Sequence, residues 1–226
     1  YVGSDGINVS ANVGTLNSSI NLSGGIVGAA AAWTSTANMV LGTTGGNITF
    51  QTANASGAAN NITLNGSLSG AGGLIHTGSG MLSLGNVNTY LGNTTLNGTG
   101  GAILTGGGHL AFSIGANGVN NQINGSEALT LDGTFDINLS AADTAAGDVW
   151  DLDADANTTY GSTFDLTGFT LNGDIWTDTV NGTTYTYSEP TGVLDIASVP
   201  EPSTTSAALF GGVSLFLASR RLIRKK

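Results

Sequence analysis

Apolar residues recur along the chain in pairs two positions apart: Ile20/Leu22, Ile48/Phe50, Ile62/Leu64, Leu82/Leu84, Leu110/Phe112 and Leu129/Leu131. In an extended backbone, residues two apart point to the same side, so each pair predicts a short strand with one buried face. Gly24-Gly25, Gly45-Gly46-Asn47, Asn65-Gly66 and Gly106-Gly107-Gly108 separate the pairs and predict turns. Many short strands between glycine turns point to a sandwich or a β-solenoid. In a solenoid, each coil buries a one-sided apolar stripe by stacking on its neighbours. The pattern changes after 126. From Glu127 the alternation strengthens, and Leu129, Leu131, Phe135, Ile137 and Leu139 are expected on one face. Asn181-Gly182 between Trp176–Val180 and Thr183–Tyr187 predicts a two-residue hairpin. That turn pairs Val180 with Thr183, Asp178 with Tyr185 and Trp176 with Tyr187. With Val193–Ile196 as a last strand, this region is expected to cap the open end of the solenoid.

Composition supports strands over helices. Glycine contributes 36 of 226 residues, hydrophobic residues make up 40%, and charged residues only 9%. The net charge of −10 hides a sharper asymmetry. All five cations stand in the last seven positions: Arg220, Arg221, Arg224, Lys225 and Lys226. A body without Lys or Arg has nothing to neutralise phosphates, so nucleic acid is excluded as a partner. Among the acids, Asp5 alone precedes Glu127. There is no cysteine, which removes disulfides and thiolate chemistry. The opening Tyr1-Val2-Gly3 has no leader character, so a signal peptide and further repeats are expected upstream.

The end of the chain has three parts. Pro200-Glu201-Pro202 comes first, 18 uncharged residues lie between Glu201 and Arg220, and the basic cluster runs from Arg220 to Lys226. As a helix, the uncharged run would span about 27 Å, barely the thickness of a bilayer core. Cations beside a spanning segment stay cytoplasmic, which would place the cation-free body on the far side of the membrane. The two prolines stop helix from running back into the body.

This tail resembles the PEP-CTERM sorting signal, a Pro-Glu-Pro motif followed by a short apolar helix and a basic end. The resemblance implies recognition of Pro200, Glu201 and Pro202 by an exosortase-type processing enzyme in the inner membrane of a Gram-negative bacterium. It also implies an association with exopolysaccharide and biofilm. Residues 68–98, LSGAGGLIHTGSGMLSLGNVNTYLGNTTLNG, resemble the autotransporter-associated β-strand repeat. The matching positions include Gly72-Gly73-Leu74, Gly78, Gly80, Leu82, Leu84, Asn88-Thr89-Tyr90, Gly92, Thr94-Thr95 and Asn97. That resemblance implies a right-handed parallel β-helix in the passenger region of a surface protein. His76 falls where that repeat usually carries Lys, which predicts exposure.

The expected chain is therefore all-β: a right-handed parallel β-helix with a hairpin-rich cap and a short C-terminal transmembrane helix. Residues 1–126 would form the solenoid, 127–198 the acidic cap, and 199–226 the sorting tail, with motif 200–202, helix 203–219 and basic end 220–226. The expected function is that of an exported surface or extracellular-matrix structural protein, with no catalytic, cofactor or metal residues. Its expected partners are the membrane, the processing enzyme and exopolysaccharide.

Other chemistry has weaker sequence support. The run Asp148, Asp151, Asp153, Asp155 suggests calcium, but an EF-hand counted from Asp151 puts Ala156 at the glycine and Ser162 at the glutamate. A solvated acidic strand and loop is the simpler expectation. His76 and His109 have no third ligand nearby in sequence. Asp132/Asp136 and Asp151/Asp153 are nominal hydrolase pairs, and a lyase would need cations that the body lacks. Trp150, Tyr160, Trp176, Tyr185 and Tyr187 would serve a sugar-binding platform (an adhesin) or, preferentially, pack inside the cap.

Overall fold

The structure, a computed structural model, describes residues 1–7 and 19–197. Residues Tyr1–Ile196 group into one unit. The tail residues Pro200, Glu201, Pro202, Arg220, Arg221, Arg224, Lys225 and Lys226 lie outside the described residues, as does the expected helix 203–219. Among the described residues, no helix is long and apolar enough to cross a membrane.

The protein is all-β and winds as a β-helix-like solenoid whose chain visits three parallel sheets in turn. The second sheet gives the clearest view. Trp33–Ser35, Ile62–Leu64, Leu82–Leu84, Ala102–Leu104, Leu129–Leu131 and Thr158–Tyr160 pair in that order, all parallel. Their register builds an inward row of Ser35, Leu64, Leu84, Leu104, Leu131 and Tyr160. The first sheet carries Ile48, Leu74, Thr94 and Ile123 at one inward level, and Phe50, His76, Leu96 and Gly125 at the next. The third sheet stacks Asn88, Leu110, Phe135 and Leu166. The apolar pairs Ile62/Leu64, Leu82/Leu84 and Leu129/Leu131 are thus the inward residues of three-residue strands, while Ile48/Phe50 and Leu110/Phe112 are inward residues of longer ones. Parallel sheets need this burial, because each strand can bury its apolar face only against the other two sheets.

Asn38–Gln51 serves two faces. Met39 and Val40 pair with Leu68 and Ser69, while Ile48–Gln51 pairs with Leu74–Thr77. Ser19–Gly28 follows it through the same bend, with register shifts around Gly24.

Residues 68–98 wrap about one and a half coils, and their motif positions do visible work in the winding. Ile62, Leu82 and Ala102 lie in register, so this coil repeats every 20 residues. Coils this short pass very close at the corners. A Cβ on Gly100 would sit 2.0 Å from the Gly80 carbonyl oxygen. The side chain of Asn88 accepts from Leu68 N–H and donates to the carbonyls of Asn86 and His109, tying three levels together. Tyr90 is wholly buried with its hydroxyl on Thr94, and burial pushes its pKa up to about 12.

The parallel winding continues into the 127–198 region through Thr134–Asn138, Thr158–Tyr160 and Asp165–Leu166. Here the coils lengthen, since Leu129 and Thr158 take the register places that follow Ala102. The added residues leave the barrel as loops, including Gly115–Val119. The face expected for Leu129 to Leu139 is divided. Leu129 and Leu131 lie in the second sheet, Phe135 and Ile137 in the third, and Gly133 makes the corner. A Cβ at Gly133 would meet the Gly108 carbonyl oxygen at 2.2 Å, so no other residue fits that turn.

The cap is a five-stranded antiparallel sheet in the order Val149–Asp151, Val193–Ile196, Thr183–Ser188, Ile175–Val180 and Thr170–Asn172. Its hairpin has the register expected from Asn181-Gly182, with Val180 opposite Thr183, Asp178 opposite Tyr185 and Trp176 opposite Tyr187. Both turn residues have positive φ, 51° and 85°, as the turn type requires.

Leu131 is fully buried between Leu104 and Tyr160 in its row. Leu131→Ala is expected to cost about 2–5 kcal/mol, measured by denaturant unfolding.

Candidate functional site

Two clusters of buried polar groups interrupt the apolar stack. The first centres on His76. Leu74 and His76 are two apart in Leu74–Thr77, so both point inward, and His76 is 0% exposed, between Phe50 and Leu96. The exposure expected for it is therefore wrong: strand periodicity decides the direction of the side chain, whatever residue the repeat usually carries there. Glu127 is 4% exposed, and one of its oxygens bonds His76 Nδ1.

On the other side of the ring, Nε2 lies 2.8 Å from Thr52 Oγ1. That hydroxyl also lies 2.7 Å from the Gly80 carbonyl and 3.0 Å from that of Thr77. A hydroxyl has one proton, and the two carbonyls compete for it. Thr52 therefore accepts from Nε2–H, and Nδ1 faces the Glu127 carboxyl. The hydroxyl–imidazole–carboxylate order resembles that of nucleophilic catalysis, but the proton of Thr52 points away from the imidazole. Thr52 is fully buried as well. This geometry braces the core and does not activate a nucleophile. Gly98 makes room for it, since a Cβ there would lie 2.4 Å from the second Glu127 oxygen, which is itself without a partner.

His109 differs. It sits on the outer face of the third sheet with Nδ1 3.0 Å from Asp136, both about one third exposed. The other oxygen of Asp136 accepts from the Thr167 hydroxyl. Of the nominal pairs, Asp132 sits instead at the corner against Gly161.

The second cluster lies where the last coil meets the cap. A cavity of about 500 Å3 is lined by four carboxylates, Asp153, Asp155, Asp174 and Glu189, together with Thr158 and Tyr160. The acidic run expected to be solvated is partly buried here: Asp148, Asp153 and Asp155 all fall below one tenth exposure. The cause is twofold. The cap closes over the run, and the carboxylates serve the backbone as turn caps. Asp153 accepts from Asp155 N–H at 3.2 Å, and Asp155 from Asn157 N–H at 2.9 Å. Asp153 also accepts from the Tyr160 hydroxyl at 3.1 Å, which in turn takes the proton of Tyr187 at 2.7 Å. Burial pushes the Asp153 carboxyl above its ordinary value, and the neighbouring Asp155 adds to the rise. Burial and then the charge of Glu127 raise Asp155. Burial holds the Tyr160 and Tyr187 hydroxyls well above theirs.

The five cap aromatics do not form a platform. Trp150, Trp176, Tyr185 and Tyr187 are buried. Tyr160 stacks edge-on against Phe164 at 4.8 Å, and Phe164 against Trp176 at 5.8 Å. Trp176 donates its indole N–H to Glu189. The aromatics are the core of the cap, as their alternate spacing in the hairpin implied.

Among the described residues, no three His or acidic side chains are placed to hold a metal ion. No protein-family model, no curated protein and no solved structure matches the chain.

Two outcomes follow. His76→Leu strands the Glu127 charge in the core and is expected to cost about 3–5 kcal/mol in denaturant unfolding. Adding Glu127→Leu should recover most of that loss. For Asp153 and Asp155, the folded-state pKa values lie above the unfolded value of 3.8. Their contribution to stability is present below that value and is lost as pH rises through the raised ones. Thermal melts should therefore show Asp155→Asn gaining a few degrees at neutral pH and little at pH 4, relative to the parent protein.

Proposed function

We propose that this chain is an exported bacterial surface or extracellular-matrix structural protein. Its body would be a right-handed parallel β-helix that acts as scaffold and spacer, without enzymatic chemistry. Its tail would be a sorting signal. In this reading, residues 203–219 form a short membrane helix and the basic end holds it at the cytoplasmic face of the inner membrane. Pro200, Glu201 and Pro202 present an extended segment to an exosortase-type enzyme, and the released body reaches the surface or the matrix.

One observation carries the reading. Every Lys and Arg stands behind a run of apolar residues at the end of a chain whose other 219 residues have none. A soluble fold gains nothing from such segregation, whereas a membrane-oriented tail depends on it. The architecture supports the scaffold role. Solenoid coils contact only their neighbours, so length is gained without enlarging the core. The two acid–histidine groupings also have structural explanations, His76 within the core and His109 in a cross-coil bond to Asp136.

The adhesin alternative loses the aromatic platform and keeps the acidic cavity as its candidate surface. For the less favoured reading as a polysaccharide-active enzyme, the nominal carboxylates offer little, since Asp136 and Asp153 are held by hydrogen bonds within the fold.

Mass spectrometry of the protein recovered from the cell surface tests the tail. The expected C-terminus falls upstream of Arg220, near Pro200-Glu201-Pro202. A surface form that still carries Lys226 would reject processing and leave a plain anchor.

A further inference from the structure

We propose that Glu127 and Asp155 form a proton latch between neighbouring coils: Asp155 carries a proton on Oδ2 and donates it to Oε2 of Glu127, and the last coil loosens when that proton leaves. The latch belongs to the body of the chain and does not depend on the sorting reading.

Two buried oxygens lack a donor. Glu127 is 4% exposed and Asp155 7%, and one oxygen of each, Oε2 and Oδ2, has no hydrogen-bond partner. Their backbones lie on adjacent coils. Ile123 pairs in parallel with Asp153, Leu129 N–H donates to the Asn157 carbonyl, and the Asn157 side-chain amide donates to the Ser126 carbonyl. The turn bearing Asp155 is thus laid on the corner bearing Glu127, and the two carboxyls act on each other electrostatically. Buried carboxyl oxygens without a partner are rare in folded proteins, and two of them in neighbouring carboxyls have a common remedy. A protonated carboxyl has one O–H to give and a carboxylate only accepts, so a single proton satisfies both.

The remaining bonds assign that proton. Oε1 of Glu127 faces His76 Nδ1, so Oε2 needs a donor whichever of that pair is protonated. Gly98, beside Oε2, has no side chain to offer one, and residues 1–219 contain no Lys or Arg. Oδ1 of Asp155 already accepts from Asn157 N–H, which leaves Oδ2 for the proton. Burial raises the Asp155 carboxyl above 3.8, Asn157 N–H lowers it and the Glu127 charge raises it, in line with that placement. Asp153 stands on the same turn, bonded to the Tyr160 hydroxyl and through it to Tyr187, and Asp174 and Glu189 line the cavity beyond. These are acids and phenols, so none of them replaces the proton as a counter-charge. A carboxyl raised in the folded state stabilises below its unfolded value, and the contribution is lost as pH rises through the raised one. Two carboxylates then repel each other at the corner, and the turn that leads into Thr158–Tyr160 is pushed off the coil beneath it.

The test joins carbon NMR of the side-chain carboxyls to amide hydrogen exchange, both on the full chain. At pH 6, Asp155 should still be protonated while the exposed Asp143 and Asp165 are ionised. In Glu127→Gln the Asp155 titration should move toward theirs by at least one pH unit, because the facing charge is gone. Exchange at Asn157 and Thr158–Tyr160 is corrected for the intrinsic rate and read against the strand Leu82–Leu84. In the parent protein it should quicken at least tenfold from pH 5 to pH 8. Asp155→Asn keeps an N–H donor for Glu127 at every pH, so its protection should stay flat over that range. The latch is overturned if Asp155 titrates together with Asp143 and Asp165, or if Glu127→Gln leaves its titration in place. It is equally overturned if exchange in the last coil does not change with pH, or changes as much in Asp155→Asn as in the parent.

Discussion

Parallel stacking at one fixed level spacing governs this molecule. Each strand is hydrogen-bonded to the strand one coil above and one coil below, about 4.8 Å away. An inward side chain therefore has two obligatory neighbours, the residues at its own register position in adjacent coils. Leu64, Leu84, Leu104 and Leu131 satisfy that demand with like residues. His76 has to satisfy it by recruiting groups from other levels, which is why Thr52 and Glu127 are drawn into the same interior. Asn88 solves the problem differently, spending its whole amide on backbone partners.

The same constraint explains where charge is tolerated. Within the shortest coils there is no room for a carboxylate that lacks a partner in the stack. Near the end of the winding, the coils widen and the antiparallel sheet supplies a second wall. Carboxylates there can cap turns on one side and face a cavity on the other. Asp153 spends both oxygens on Asp155 N–H and Tyr160, while Asp155 spends one. The acidity of this region is thus partly structural and partly unanswered within the protein.

Legibility in the sequence follows from how local each cause is. Period-two pairs such as Ile62/Leu64 are read directly, because both residues sit in one strand of three. The Asn181-Gly182 hairpin is read to the residue, because its register is set by the turn alone. The division of Leu129–Leu139 is harder, because the corner at Gly133 comes from a carbonyl of another coil. The burial of His76 was signalled by its spacing from Leu74, but the resemblance to a lysine position pointed the other way. The pairing of His76 with Glu127 spans 51 residues and has no local signal. The acidic cavity is similar: Asp153 and Asp155 are two residues apart in the chain, whereas Asp174 and Glu189 join them only through the closure of the cap.

The loops that leave the widened coils have a consequence of their own. The indole of Trp150 donates to the Ala116 carbonyl, Val149 N–H bonds the side chain of Asn117, and Gly118 N–H bonds the Val149 carbonyl. The terminal sheet is thus bracketed to an excursion made one level earlier, which the 20-residue coils are too short to make. The lid fits one rung of this ladder and no other, so the molecule has a built-in head end. Any lengthening or shortening of the rod by whole rungs has to happen upstream of that bracket, with the lid and its bracket carried along as one piece.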